Sequence, residues 1–162
     1  MLLLDTQNLT NGKHFVEVSG KADGDQSNKY FEDTILVEGL LRVYNNRLIL
    51  KGTAKSSAKL ICDISLEEFK EEITAEINIT IFKGIKAESR TETDENTLYI
   101  AEEEKKVDIT EIVMQELLVN IPMKKVAPKY RGKDIDDIYP QIKQNEKKGQ
   151  SPFDILKNLK NN

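Results

Sequence analysis

Apolar positions in the middle of the chain recur at every second residue. Ile35, Val37, Gly39, Leu41 and Val43 alternate with Leu36, Glu38, Leu40, Arg42 and Tyr44. Phe69, Glu71, Ile73, Ala75, Ile77, Ile79 and Ile81 alternate with Lys70, Glu72, Thr74, Glu76, Asn78 and Thr80. Successive side chains of a strand leave on opposite faces, so this period predicts long strands with one buried and one wet face. Asn45-Asn46 predicts a tight hairpin turn that tolerates positive φ, with Arg47 to Leu60 pairing back and Gly52 marking a bulge or bend. Cys62-Asp63-Ile64-Ser65 is a second turn. Met1 to Asp5 and Lys13 to Ser19 predict two short strands joined by Thr10-Asn11-Gly12. Thr97 to Ile100 is one more. Long strands with short connections predict an antiparallel, twisted sheet that curls toward a half-open barrel.

The period changes at Asp108. Ile109, Ile112, Val113, Leu117 and Ile121 are spaced by one, three and four residues, which puts them on one face of a 3.6-residue helix. Asp108 is placed to cap the first turn, Glu111 to complete a capping box, and Pro122 to stop the helix. A helix of this length is marginal alone in water, so it needs the sheet to lie on. The fold class is therefore α+β, a twisted antiparallel sheet or half-open barrel covered by one main helix. Residues 1–122 form that domain, and residues 123–162 form a basic tail. Asp136 to Lys148 predicts a short helix interrupted by Pro140. In the tail's last stretch, Ser151 caps, Pro152 takes the first helical position, and Phe153, Ile155, Leu156 and Leu159 make a small apolar stripe.

Charge sharpens that division. The formal net charge of −4 separates into ten Lys/Arg against five Asp/Glu over residues 121–162, and 14 against 23 before them. A local value of +5 follows one of −9, so the sign asymmetry carries more information than the sum. No run approaches the roughly 20 apolar residues of a membrane span. Met1 to Leu4, followed at once by Asp5, is too short for a signal peptide. A single cysteine, Cys62, rules out an internal disulfide and suits a reducing cytosol, so the expected location is cytoplasmic.

Catalytic chemistry finds no constellation. His14 and Cys62 are single, with nothing in their spacing to bring them together, and a nucleophile needs a base beside it. Asp23 and Asp25 sit in a polar loop, Gly20 to Lys29, that lacks the later glutamate of a calcium site. Lys86 to Asn96 is a second polar loop, and Glu102 to Glu104 is a charge run of the kind found on solvated surface. A hydrolase using carboxylate pairs has no motif behind it. No enzyme, cofactor or metal is expected. Binding is better supported. Lys124, Lys125, Lys129, Arg131 and Lys133 place five cations within ten residues, with Tyr130 among them. Cations neutralise phosphates and an aromatic ring stacks on unpaired bases, so these six are candidate RNA contacts. An ordinary solvated linker has the same composition. Phe153, Ile155, Leu156 and Leu159 either fold back on the sheet or dock into a partner's groove, as short amphipathic helices do.

Three blocks resemble one family. Leu50-Lys-Gly-Thr-Ala-Lys55 followed by Leu60-Ile-Cys-Asp-Ile-Ser-Leu-Glu-Glu-Phe69 is similar to a strand leading into a Cys-x-x-Cys turn and an aromatic residue. Val107 to Pro122 is similar to an acidic-capped helix ending in Leu-Pro, and Pro152-Phe-Asp-Ile-Leu-Lys-Asn-Leu-Lys160 to a Pro-Phe-x-x-Leu-x-x-Leu ending. In this order they resemble the YceD family, the large ribosomal RNA subunit accumulation proteins of bacteria. The resemblance implies a non-enzymatic factor in large-subunit biogenesis that binds ribosomal RNA or a pre-ribosomal particle. A protein-interaction module acting through the terminal helix, without RNA, is the alternative. The chain departs from the pattern at the second turn cysteine, which is Ser65, and has no cysteine between Lys124 and Gln150. A zinc site is not expected.

Overall fold

A computed structural model describes residues 1–22, 29–84 and 94–140. Phe153, Ile155, Leu156 and Leu159, and the Asp23/Asp25 loop residues, lie outside the described residues. The alternating segments are strands: β1 (Leu3–Asp5), β2 (Gly12–Gly20), β3 (Ile35–Tyr44), β4 (Arg47–Ile61), β5 (Glu68–Lys83), β6 (Thr97–Ile100) and β7 (Lys106–Asp108). One helix, α1 (Thr110–Val119), follows, and a four-residue helix α2 (Ile135–Ile138) comes later. The chain divides into two units. The larger takes residues 1–60 and 68–123, and the smaller takes residues 61–67 and 124–162.

In the larger unit β2 to β6 form one sheet in chain order. The inward residues Ile35, Val37, Leu41, Leu50, Ile77, Ile79 and Ile81 are fully buried, as the period of two requires. Asn45 turns the β3–β4 hairpin at φ 51°, so that Tyr44 faces Arg47. The sheet is mixed, which corrects the antiparallel expectation: β6 runs parallel to β5, with Thr80 opposite Thr97 and Phe82 opposite Tyr99. The connection 84–96 has the dozen or so residues that a parallel crossover needs. The sheet does not close into a barrel, since β2 and β6 remain its two edges.

Three local expectations change as well. β1 does not pair with β2 as a hairpin. It pairs with β7, with Leu4 opposite Val107, and this small sheet buries Leu2, Leu4 and Val107. Gly52 is not a bulge, because β3 and β4 pair without interruption from Leu36–Lys55 to Tyr44–Arg47. It lies opposite Gly39, where a Cβ on either would meet the backbone of the other strand. The capping box is absent too. Asp108 Oδ1 accepts the Thr110 N–H at 2.9 Å and the Thr110 hydroxyl, while Glu111 is exposed on the helix. The Thr110 hydroxyl oxygen in turn accepts the Leu2 N–H at 2.7 Å, so the start of α1 is tied to the N-terminus of the chain.

The face of α1 is as the spacing predicts. Ile109, Ile112, Val113 and Leu117 are buried and Ile121 packs against the core, with Met114 added. The helix ends at Val119 with Asn120 as its C-cap, two residues before Pro122, which cannot continue it. The Asn120 side chain donates to the Glu116 carbonyl at 2.8 Å. No helix among the described residues is long and apolar enough to cross a membrane.

Candidate nucleic-acid interface

The smaller unit is built from a turn and the basic segment. Residues 61–67 carry the chain from β4 to β5, and Leu66 adopts φ 60° to make that reversal in so few residues. Cys62, fully buried, accepts the Ala127 N–H on its sulfur at 3.4 Å. Asp63 and Lys125 bond reciprocally: the Asp63 N–H donates to the Lys125 carbonyl, and the Lys125 N–H to the Asp63 carboxylate, both at 2.7 Å. The Tyr139 hydroxyl reaches the Ile64 carbonyl at 3.2 Å. The segment after Pro122 is thus pinned through its backbone.

Burial raises the Cys62 thiol, but the N–H groups of Ala127, Ser65 and Ile64 and the Ser65 hydroxyl outweigh it, lowering the group from 9.0 to about 7. Backbone donors surround this sulfur. Among the described residues no group of three or more His, Cys, Asp or Glu is placed to hold a metal ion.

The six candidate contacts are not equivalent. Pro128 starts a 3-10 turn, Pro128–Tyr130, since it has no N–H to satisfy at that position. Its next residue, Lys129, reaches Glu67 at 2.5 Å and lies 4.9 Å from the centre of the Tyr130 ring. The hydrogen bond from Lys129 holds the Glu67 carboxyl below the usual range, and Glu67 raises the Lys129 ammonium. The Tyr130 hydroxyl donates to the same carboxylate at 3.4 Å. Arg131 donates through Nε to the Val126 carbonyl at 3.1 Å. Lys125 is half-buried. Lys124 and Lys133 are exposed and have no ion pair among the described residues. The geometry therefore gathers Lys129, Tyr130 and Glu67 into one cluster and leaves Lys124 and Lys133 outside it.

Sequence reasoning missed the partners Asp63, which read only as a turn residue, and Glu67, which was given no role. The signal available was their position in a six-residue turn with two spare carboxylates.

A protein-family model described as large ribosomal RNA subunit accumulation protein YceD matches residues 50–160. The chain belongs to the YceD family. The match takes in the Cys62 turn, α1 and the whole basic segment, and it begins within β4, so β1 to β3 precede it. No curated protein and no solved structure matches the chain. The family's name ties its members to accumulation of the large-subunit ribosomal RNA.

Proposed function

We propose that this protein supports accumulation of the large-subunit ribosomal RNA by binding that RNA, or a pre-ribosomal particle containing it, through the segment after Pro122. The observation that carries the reading is the backbone pinning of a cation-rich segment by Asp63 and Cys62, within the residues that match the family. Such a segment offers ammonium and guanidinium groups at fixed spacing, so a phosphate backbone is met without first ordering a loose chain. Lys124 and Lys133 engage phosphates directly. Lys129 does so only by exchanging the Glu67 carboxylate for a phosphate, and the ring of Tyr130 stacks on a base only once Lys129 has moved aside. In this reading the protein is a cytoplasmic, non-enzymatic factor that works by occupancy, and it needs no cofactor.

Each phosphate contact contributes about 0.7 to 0.9 to the slope of log affinity against log salt. Replacing Lys124, Lys125 and Lys129 together by glutamine is expected to flatten that slope by roughly two to three, measured by co-sedimentation with large-subunit RNA at graded salt. An unchanged slope overturns the assignment of the site. Absence of binding at low salt overturns the reading.

A further inference from the structure

The outward face of the sheet is divided along its strands into two ends of different chemistry. At one end the outward positions mix both signs: Glu17 lies opposite Glu38, and Lys55, Lys59 and Lys70 stand among Glu68, Glu72 and Glu76, with Lys59 paired to Glu68 and Lys70 to Asp33. At the other end, Lys13 lies opposite Arg42, Phe15 opposite Leu40, Leu40 opposite Lys51 and Tyr44 opposite Arg47. The outward positions of β5 there are Asn78, Thr80 and Phe82. The nearest outward carboxylates on these strands are Glu17 and Glu38, two residues beyond Phe15 and Leu40. Lys13, Arg42 and Lys51 are exposed and form no ion pair among the described residues.

Aromatic rings occupy the same end. Phe15 is 72% exposed and Tyr44 is 74% exposed. Phe82 stacks on Tyr99 with centroids 5.3 Å apart and planes 18° apart, and the Arg47 guanidinium lies 5.5 Å above the Phe82 ring. Edge strands are ordinarily blunted with charge rather than with rings, and here a phenylalanine and a tyrosine stand exposed among cations. A cross-strand pair with Leu40 recovers only a fraction of a kilocalorie to about 1 kcal/mol, and a ring so exposed recovers less.

We propose that this end of the sheet is a platform for single-stranded RNA, on which unpaired bases stack against Phe15 and Tyr44 while Lys13, Arg42 and Lys51 take the flanking phosphates. Three features favour this ligand over others. A base has an apolar face that matches an exposed ring, and every base has one. The phosphate between two bases carries the charge that matches cations set beside rings and held in no ion pair among the described residues. Duplex RNA keeps its bases inside the stack, so this surface selects unpaired segments. The platform shares the ligand of the function proposed above but not its site. Lys13, Phe15, Arg42 and Tyr44 precede residue 50, where the family match begins, so the family does not account for them.

The test uses the full-length chain and a labelled oligouridine about ten nucleotides long, in the range of site sizes known for single-strand-binding sheets. Phe15→Ala and Tyr44→Ala are each expected to weaken binding by roughly 5- to 150-fold, with unchanged salt slope and unchanged melting temperature. Arg42→Gln with Lys51→Gln is expected to lower the slope by about 1.4, two single-strand phosphate contacts. A duplex of the same length is expected to bind more weakly. The proposal is overturned if both aromatic variants bind as the parent does, if duplex and single strand bind equally, or if the oligouridine is not bound at low salt. A drop in melting temperature for Phe15→Ala with unchanged affinity assigns the ring to sheet stability and also overturns it. The variant at Lys124, Lys125 and Lys129 serves as the separate arm. If that variant alone matters, the basic segment stands and the platform falls, and the converse result reverses both.

Discussion

Leu117 in the larger unit and Cys62 in the smaller are both shielded completely from water, but for different reasons. Leu117 belongs to a continuous apolar cluster that runs from Leu2 through the inward faces of β3, β4 and β5 to α1. Burial of that kind is non-directional and scales with area. Cys62 is held by donors: the Ala127 N–H meets its sulfur, and Ala127 is the other buried apolar residue of its unit among the described residues. Other polar ties there include the reciprocal Asp63–Lys125 bonds, the Tyr139 hydroxyl on the Ile64 carbonyl and the exposed Glu67–Lys129 ion pair. A large cluster of oily side chains tolerates changes of pH and salt. A small unit knit by polar bonds answers to both.

The largest contrast is expected at Leu117. Leu117→Ala should cost about 2–5 kcal/mol of stability, read as a shift in the urea midpoint, and the loss should be the same at pH 6 and pH 9. If the midpoint does not move, the helix face is wrongly assigned and the comparison breaks.

Cys62→Ala should cost less. It leaves the buried Ala127 N–H without its acceptor, at about 1–3 kcal/mol. The sign of its pH dependence follows from the lowered thiol. A group whose value falls on folding stabilises the fold fully above its unfolded value, and that contribution is lost as pH drops through the folded one. The parent should therefore gain stability as pH rises from about 7 toward 9, and Cys62→Ala should not. Parallel pH profiles for the two proteins would remove the donor-held picture.

The smallest effect belongs to Glu67. The pair with Lys129 is exposed on both sides, and such pairs contribute little once solvent and salt screen them. Because Lys129 holds the Glu67 carboxyl below its ordinary 4.5, the contribution is present above that value and fades as pH falls below it. Glu67→Gln should lower the melting temperature slightly at neutral pH and flatten the acid limb of the profile, with the difference from the parent vanishing at low pH. A marked loss at neutral pH would mean that Glu67 orders the unit through Tyr130 as well as through charge.

Much of the larger unit was legible in the sequence, because period two and period 3.6 report directly which face of an element is buried. Ile77, Ile79, Ile81, Val113 and Leu117 all lie where their spacing puts them. Pairing was less legible. Periodicity states which way a side chain points but not which strand lies alongside, so neither the parallel β5–β6 pair nor the β1–β7 pair could be read from it. The same reason hid the cluster at Lys129, whose partner Glu67 lies far back along the chain. Cations could be counted from the sequence, whereas their partners required coordinates. At Asp108 the residue was identified correctly and its geometry was not: the carboxylate reaches Thr110, two residues on, and no capping box forms.

The pairing of β1 with β7 also fixes an order of events during synthesis. Leu3 finds its partner only when Asp108 has been made, and at roughly 5–20 residues per second that partner follows about 5–20 s later. The β3–β4 hairpin, whose strands meet across two residues, closes on its own within microseconds of leaving the exit tunnel. β1, made before the other described strands, is therefore among the last to be paired. Throughout that interval β1 has no strand to pair with, and a chain interrupted before Lys106 never supplies one.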